Sequence, residues 1–232
     1  MLKKFSFIIV LIFFIGCGGG NGKNKNNGIT LVDTNCTNPY LKFKPILDKA
    51  MLQCPTSSFD ANCSRDYGDF EGFYNKYFYY KNCDLIFYMC SNHHRSELRF
   101  KDEFYMNDKK EHILKVLVKP IPKTDEFTFL QIHGIYTGLN KPVLRVAVYK
   151  GKIKLFVFDG KKYIKKDLGK YEGGFINFKI VAGNGKLIIY KDNRLVFKAF
   201  INYPDKCYYK LGVYLQRDGC ADAEFNNIKV NF

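Results

Sequence analysis

Residues 208–216, YYKLGVYLQ, alternate polar and apolar side chains with a period of two. Successive side chains on a strand point to opposite faces. The pattern therefore predicts a strand with Tyr208, Lys210, Gly212, Tyr214 and Gln216 on one face and Tyr209, Leu211, Val213 and Leu215 on the other. The second face is wholly apolar, while the first is polar and rich in donors. Two further stretches carry a similar polar face: Arg95, Glu97 and Arg99 in RSELR, and Gln131 and His133 in QIH. Three such strands side by side would tile one site.

Most of the chain after residue 67 reads as strands. Runs at 73–80, 85–90, 95–100, 112–118, 127–133, 143–149, 152–158, 177–181, 186–191, 195–200 and 225–232 are rich in β-formers. Turn signals separate many of them: Lys150-Gly151, Asp159-Gly160, Gly183-Asn184-Gly185 and Asp192-Asn193. Only 45–52, PILDKAML, has helical spacing, with a proline just inside its start, and predicts a short surface helix. A strand follows Gly183-Asn184-Gly185 where a phosphate-binding loop would need a helix, so this element is a hairpin turn. Short strands at this spacing predict an all-β fold, an antiparallel β-sandwich or jelly roll. Lys and Arg interrupting HILKVLV and VLRVAVY fit sheets that are wet on one side.

The first residues change the picture of where the fold begins. Lys3 and Lys4, an apolar run at 5–15 and then Gly16-Cys17 read as an export signal, too short for a membrane span. The ending FIGC resembles the lipobox of bacterial lipoproteins, which implies lipidation at Cys17 after removal of residues 1–16; a plain signal peptide is the alternative. Residues 18–34 are Gly- and Asn-rich and read as a tether. The folded domain is expected over 35–232. The protein is thus expected to be exported and anchored to a membrane through its lipid, at the periplasm or cell surface, and to be monomeric.

Formal net charge is +15, and loss of Lys3 and Lys4 with the signal leaves +13. Such a balance fits a polyanionic partner, or simply a soluble lysine-rich surface. Export and the lack of any helix-turn-helix, zinc-finger or RNA-binding pattern argue against nucleic acid. With Cys17 acylated, seven cysteines are left, an odd number that leaves at least one thiol without an intrachain partner. Cys83 and Cys90 are not expected to pair, and a Cys207–Cys220 bridge would staple the turn after 208–216. No CxxC or HxxxH spacing occurs, so no metal is expected. His112 is expected to face solvent, and His93 and His94 to lie in a loop at the site's edge.

The polar faces narrow the chemistry. Arg95 and Arg99 offer cationic forks for carboxylates, with Glu97 between them to hold their geometry. Gln131 supplies an amide, His133 a group titrating near neutrality and Tyr214 a phenol. Neither a pair of acids suited to glycoside hydrolysis nor a GxSxG nucleophile is present. β-Elimination at a uronate needs neither a metal nor a nucleophile. It needs a cation to neutralise the carboxylate, a base for the C5 proton and an acid for the departing oxygen.

RSELR, QIH and YYKLGVYLQ, in that order, resemble the three signature motifs of the polysaccharide lyase family seven alginate lyases. KPVLRVAVY and AEFNNIKVNF are similar to that family too, so the resemblance covers about residues 40–232. It implies a concanavalin A-like jelly roll with an open concave cleft for alginate, and catalysis without a cofactor. It further implies that Gln131 and an arginine of RSELR neutralise the carboxylate. Arg95 is assigned that role and Arg99 substrate binding, although spacing does not separate the two. His133 is implied as the base for guluronate, and Tyr214 as the acid and as the base for mannuronate. Glu97, Lys210 and Gln216 are expected at the substrate, with Gly212 leaving it room. Within the family, Ile132 is associated with guluronate-containing linkages. The elimination requires His133 and Tyr214 to lie within about 8 Å, one sugar ring; a wider gap would favour binding alone. A non-catalytic carbohydrate-binding or adhesion lipoprotein on this fold, and a lyase for another polyuronate, are the alternatives. Phe100 after the first motif, and Tyr209-Lys210-Leu211 where Phe-Lys-Ala is common, depart from the family pattern.

Overall fold

The computed structural model describes residues 36–54, 63–91, 94–135 and 141–232; Cys17, the export signal, the tether and His93 lie outside them. The elements in chain order are α1 (Pro39–Leu47), β1 (Ala50–Gln53), β2 (Phe78–Lys81), β3 (Asp84–Cys90), β4 (Arg95–Phe100), β5 (Phe104–Tyr105), β6 (His112–Lys123), β7 (Glu126–Gly134), β8 (Leu144–Tyr149), β9 (Lys152–Phe158), β10 (Tyr163–Lys170), β11 (Ile176–Gly183), β12 (Lys186–Lys191), β13 (Arg194–Phe200), β14 (Lys206–Leu215) and β15 (Cys220–Asn231).

The strands form two antiparallel sheets, as the alternation predicts. The first runs β1-β4-β14-β7-β8-β9-β10, with β5 also pairing β14; the second runs β13-β12-β11-β6-β15-β3-β2. Between them lies a core dense in phenylalanine. Phe87 of the second sheet stacks edge-on with Phe78 and Phe225, and Phe129 of the first sheet meets Phe178 of the second. Each such ring, wholly buried, contributes on the order of 1.5–3 kcal/mol. Tyr209, fully buried, donates its hydroxyl to the His112 carbonyl at 2.7 Å and so ties β14 to the opposite sheet. The hairpin turns fall where expected: Lys150-Gly151, Asn184-Gly185 and Asp192-Asn193 all have positive φ, the signature of tight type I′ turns.

Three local readings are corrected. The helix spans Pro39–Leu47 because Asn38 caps it, its side chain accepting from the Leu41 N–H, and Pro39 starts it. Residues 50–53 instead alternate in burial as β1 and pair with β4. Of the aromatic run at 73–80, only the end becomes β2, while Phe73 packs on Phe78 from outside the ladder. The unexpected β10 is an edge strand whose few apolar side chains, Tyr163, Ile164 and Leu168, form no period-two run among its lysines.

The cysteines pair as Cys36–Cys83, Cys54–Cys63 and Cys90–Cys220. Cys90 and Cys220 are directly opposite on β3 and β15, which rules out the expected Cys207–Cys220 staple. Among the described residues Cys207 is the cysteine outside any disulfide, and it is fully buried. Nor does His112 face solvent: its ring is buried, stacks on Phe104 at 4.4 Å and lies 3.2 Å from Asp108.

Candidate active site

The three motif strands are neighbours in the first sheet, in the order β4-β14-β7. Residues directly opposite on adjacent strands share a face, so the register defines successive rungs. Tyr208 faces His133; the next rung holds Arg99, Lys210, Gln131 and Arg145; Glu97 faces Gly212; and Arg95, Tyr214 and Thr128 close the far end. Between Leu211 and Tyr214 two residues of β14 oppose one of β7. This bulge sits at Gly212, whose φ is +138°. A Cβ on Gly212 would lie 2.2 Å from the Ser96 carbonyl oxygen and 3.1 Å from Phe87. The glycine therefore serves close packing of β14 on β4 and the core, rather than leaving room for substrate.

Beneath the site lies a buried polar cluster. Glu97, fully buried, accepts from Gln131 Nε2 at 2.5 Å and from Lys210 Nζ at 2.5 Å. Lys210 is 1% exposed, and burial pushes its pKa down while Glu97 opposes that shift. Glu97 thus bonds Gln131 and Lys210 rather than bracing the two arginines. Lys210 is a support below the surface, not a sugar contact. A low-dielectric ion pair with good geometry resists rearrangement, because either partner alone would be a buried unpaired charge. Its evident effect is to fix Gln131 in the floor of the site.

His133 and Tyr208 stand side by side on this floor. His133 Nδ1 is 2.8 Å from the Gly134 carbonyl and 3.3 Å from the Tyr208 hydroxyl. A carbonyl only accepts, so Nδ1 carries the proton and Nε2 of the neutral ring holds the free lone pair. Burial lowers the His133 pKa, with Lys210 and Arg95 adding to that and the Gly134 carbonyl and Glu97 opposing it. Burial raises the Tyr208 pKa against the pull of Arg99. At neutral pH the pair is a neutral base beside a protonated acid.

Tyr214, expected as that acid, is elsewhere. It faces Thr128, five positions along β7 from His133. The Tyr208 hydroxyl, 3.3 Å from His133 Nδ1, lies within the one-ring distance. Spacing alone hides this, because both tyrosines belong to the same motif and the same face.

The arginines also differ. The Arg99 guanidinium lies 4.1 Å from the Tyr208 ring centroid, ion-pairs with Glu103 at 2.9 Å and donates to the Tyr67 hydroxyl. Arg95 lies over the Tyr214 ring at 5.0 Å and has no carboxylate partner among the described residues. Its charge is therefore not neutralised by a carboxylate among the described residues. Gln216 is at the Tyr214 end, its Oε1 accepting from Thr128 at 3.2 Å and its Nε2 buried without a partner among the described residues.

Sequence reasoning missed the flank of the site. A hollow of about 460 Å³ on the same sheet is lined by Arg145, Lys154, Lys165 and Arg217, with Glu126, Tyr149, Phe156 and Tyr163. Glu126 lies 3.4 Å from Arg145 and 3.7 Å from Arg217, so the lining keeps a cationic excess. The period-two placement of Arg145 in VLRVAVY was the available signal.

A β-sandwich with a floor of base, phenol, amide and free guanidinium is the arrangement of a polysaccharide lyase. The chain matches the alginate lyase family profile over residues 47–232 and belongs to the alginate lyase family. Among solved structures it is similar to alginate lyase AlyC3, at 27% identity and TM-score 0.71, over 83% of this chain and 93% of that one. AlyC3 has also been solved in complex with dimannuronate. The fold is shared with alginate lyase A1-II', a member of polysaccharide lyase family 7, at 20% identity and TM-score 0.70 over 83% and 97% of the two chains. It is shared too with the alginate lyase from Corynebacterium sp., at 15% identity and TM-score 0.70 over 83% and 97%. No curated protein matches the chain.

Proposed function

We propose that this protein cleaves alginate by metal-independent β-elimination, at guluronate-containing linkages, as an exported lipoprotein tethered through Cys17. The observation that carries the mechanism is the His133–Tyr208 pair at 3.3 Å, set beside an Arg95 with no carboxylate partner. Arg95 and Gln131 hold the uronate carboxylate and neutralise it, which acidifies the C5 proton. Nε2 of His133 takes that proton, the C5–H electrons form the C4=C5 double bond, and the C4–O4 bond breaks. The Tyr208 hydroxyl protonates the departing oxygen, giving an unsaturated uronate end and a new hydroxyl on the leaving chain.

A base and a phenol in opposite protonation states supply the two proton transfers of the elimination. Ile132 is fully buried under the site, so its association with guluronate acts through the seat of β7 rather than through contact. The cationic hollow by β8–β10 favours further uronate residues along the cleft. Three disulfides are compatible with an oxidising compartment, which supports export.

The test is incubation of the purified protein with polyguluronate, polymannuronate and mixed blocks, following ultraviolet absorbance of the conjugated product. Product is expected from all guluronate-containing polymers. No product from any uronate would overturn the lyase reading in favour of binding alone, and faster turnover of polymannuronate would overturn the linkage assignment. Cys17→Ser should move the protein from the membrane to the soluble fraction.

A further inference from the structure

The outer face of the second sheet carries a feature that the catalytic reading does not use. The register places Leu195, Tyr190, Lys179, Lys115 and Lys229 in one row across β13, β12, β11, β6 and β15. Three lysines are thus directly opposite one another on three adjacent strands. Like charges in that relation repel, and none of the three is in an ion pair among the described residues. Lys179 rests over the Tyr190 ring at 5.3 Å. One neighbouring row is Ile188, Val181 and Ile113, with Lys198 at one end and Asn231 at the other; the other is Asn177, Leu117 and Asn227. No carboxylate occurs in these three rows. Between the strands, Lys115, Lys229, Asn177 and Asn227 frame a hollow of about 140 Å³ floored by Leu117.

We infer that this strip is a second, non-catalytic binding surface for a polyuronate, lying on the sheet opposite the active site. The row presents a cation on each of three consecutive strands, roughly 4.8 Å apart, a spacing close to the advance of one sugar along an extended uronate chain. A polyanion lying across the strands sets a carboxylate against each ammonium and relieves their mutual repulsion. Asn227 and Asn231 offer donors and acceptors to sugar hydroxyls, while Tyr190 and the Ile188–Val181–Ile113 row offer apolar ground for ring faces. Such a surface holds the enzyme on a polymer or gel while the other sheet cuts a different chain. The inference rests on the proposed polyuronate substrate and concerns long chains only, because a short oligomer is served by the active site.

The test compares the intact protein with K115Q/K179Q/K229Q, three exposed or half-exposed positions whose exchange also removes the like-charge pairs. Two readouts are taken: turnover of a soluble tetra-uronate, and retention on an alginate gel at low and moderate salt. The expected result is unchanged tetra-uronate turnover and about tenfold weaker gel retention, the sum of three exposed charge pairs at ordinary strength. Equal retention of the two proteins overturns the second site. So does retention of the intact protein on anionic lipid vesicles but not on the gel, which assigns the strip to a membrane. Tetra-uronate left uncut by the intact protein overturns the lyase reading instead, and gel retention still decides the strip.

Discussion

The two ends of β14 differ more than their composition suggests. Each carries a tyrosine on the polar face, with an arginine guanidinium over its ring. At the Tyr208 end the phenol meets His133 at 3.3 Å, and Arg99 is already neutralised by Glu103. At the Tyr214 end the phenol faces Thr128, and the Arg95 over its ring lacks a carboxylate. The proton-transfer groups are at one end and the unspent positive charge is at the other, with Gln131 and the buried Glu97–Lys210 pair between them. The Gly212 bulge shifts the register between the two ends.

The sharpest way to break this comparison is to remove each hydroxyl in turn. Tyr208→Phe should lower kcat by roughly 10²–10⁴, the usual worth of a positioned general acid. Tyr214→Phe should stay within a few-fold of the parent. Measured on polyguluronate, equal losses for both variants would show that the two ends are not distinct. A larger loss for Tyr214→Phe would return the acid to that residue.

Much of the fold was legible because period-two burial leaves a direct trace in the sequence, and most strand boundaries fall within one or two residues of the alternating runs. What escaped lacked that trace. β10 has only Ile164 and Leu168 on its inner face among lysines, and β1 overlapped an apparent helix whose true start is set by Asn38 and Pro39. The site was legible as a set of residue types on three strands, since RSELR, QIH and YYKLGVYLQ do lie side by side. The roles inside it were not legible, for two physical reasons. Register between strands decides which tyrosine meets His133, and no single strand encodes it. Burial decides that Lys210 and Glu97 support the floor rather than touch sugar, and an alternating pattern marks them only as polar.

The centre that separates the two ends can be tested next. Lys210→Met leaves Glu97 buried without its cation and should cost about 3–5 kcal/mol of stability in urea unfolding. Glu97→Gln/Lys210→Met, which removes both charges, should recover most of that loss. By contrast, Lys44→Met, which removes an exposed partner of Asp48 on α1, should change stability by no more than about 0.5 kcal/mol. A small cost for Lys210→Met would mean that water reaches the pair and that Gln131 is not rigidly held.

The finest distinction is electrostatic and appears in the pH profile. His133 has its pKa lowered by burial, so the acid limb of kcat/KM should lie below the ordinary histidine value of about 6.5. Activity then falls as pH drops through that lowered value, where the base becomes protonated. Tyr208 has its pKa raised, which puts the alkaline limb above about 10. Lys210 lowers and Glu97 raises the His133 pKa, so the two halves of one ion pair should move the acid limb in opposite directions. Lys210→Met, assayed at a temperature where it stays folded, should shift the limb to higher pH, and Glu97→Gln should shift it to lower pH. Tyr214→Phe, at the other end of the strand, should leave both limbs in place. If the two buried substitutions moved the limb the same way, general loosening of the floor rather than their charge would be responsible. The pair would then be a packing element and not the electrostatic hinge between the two ends.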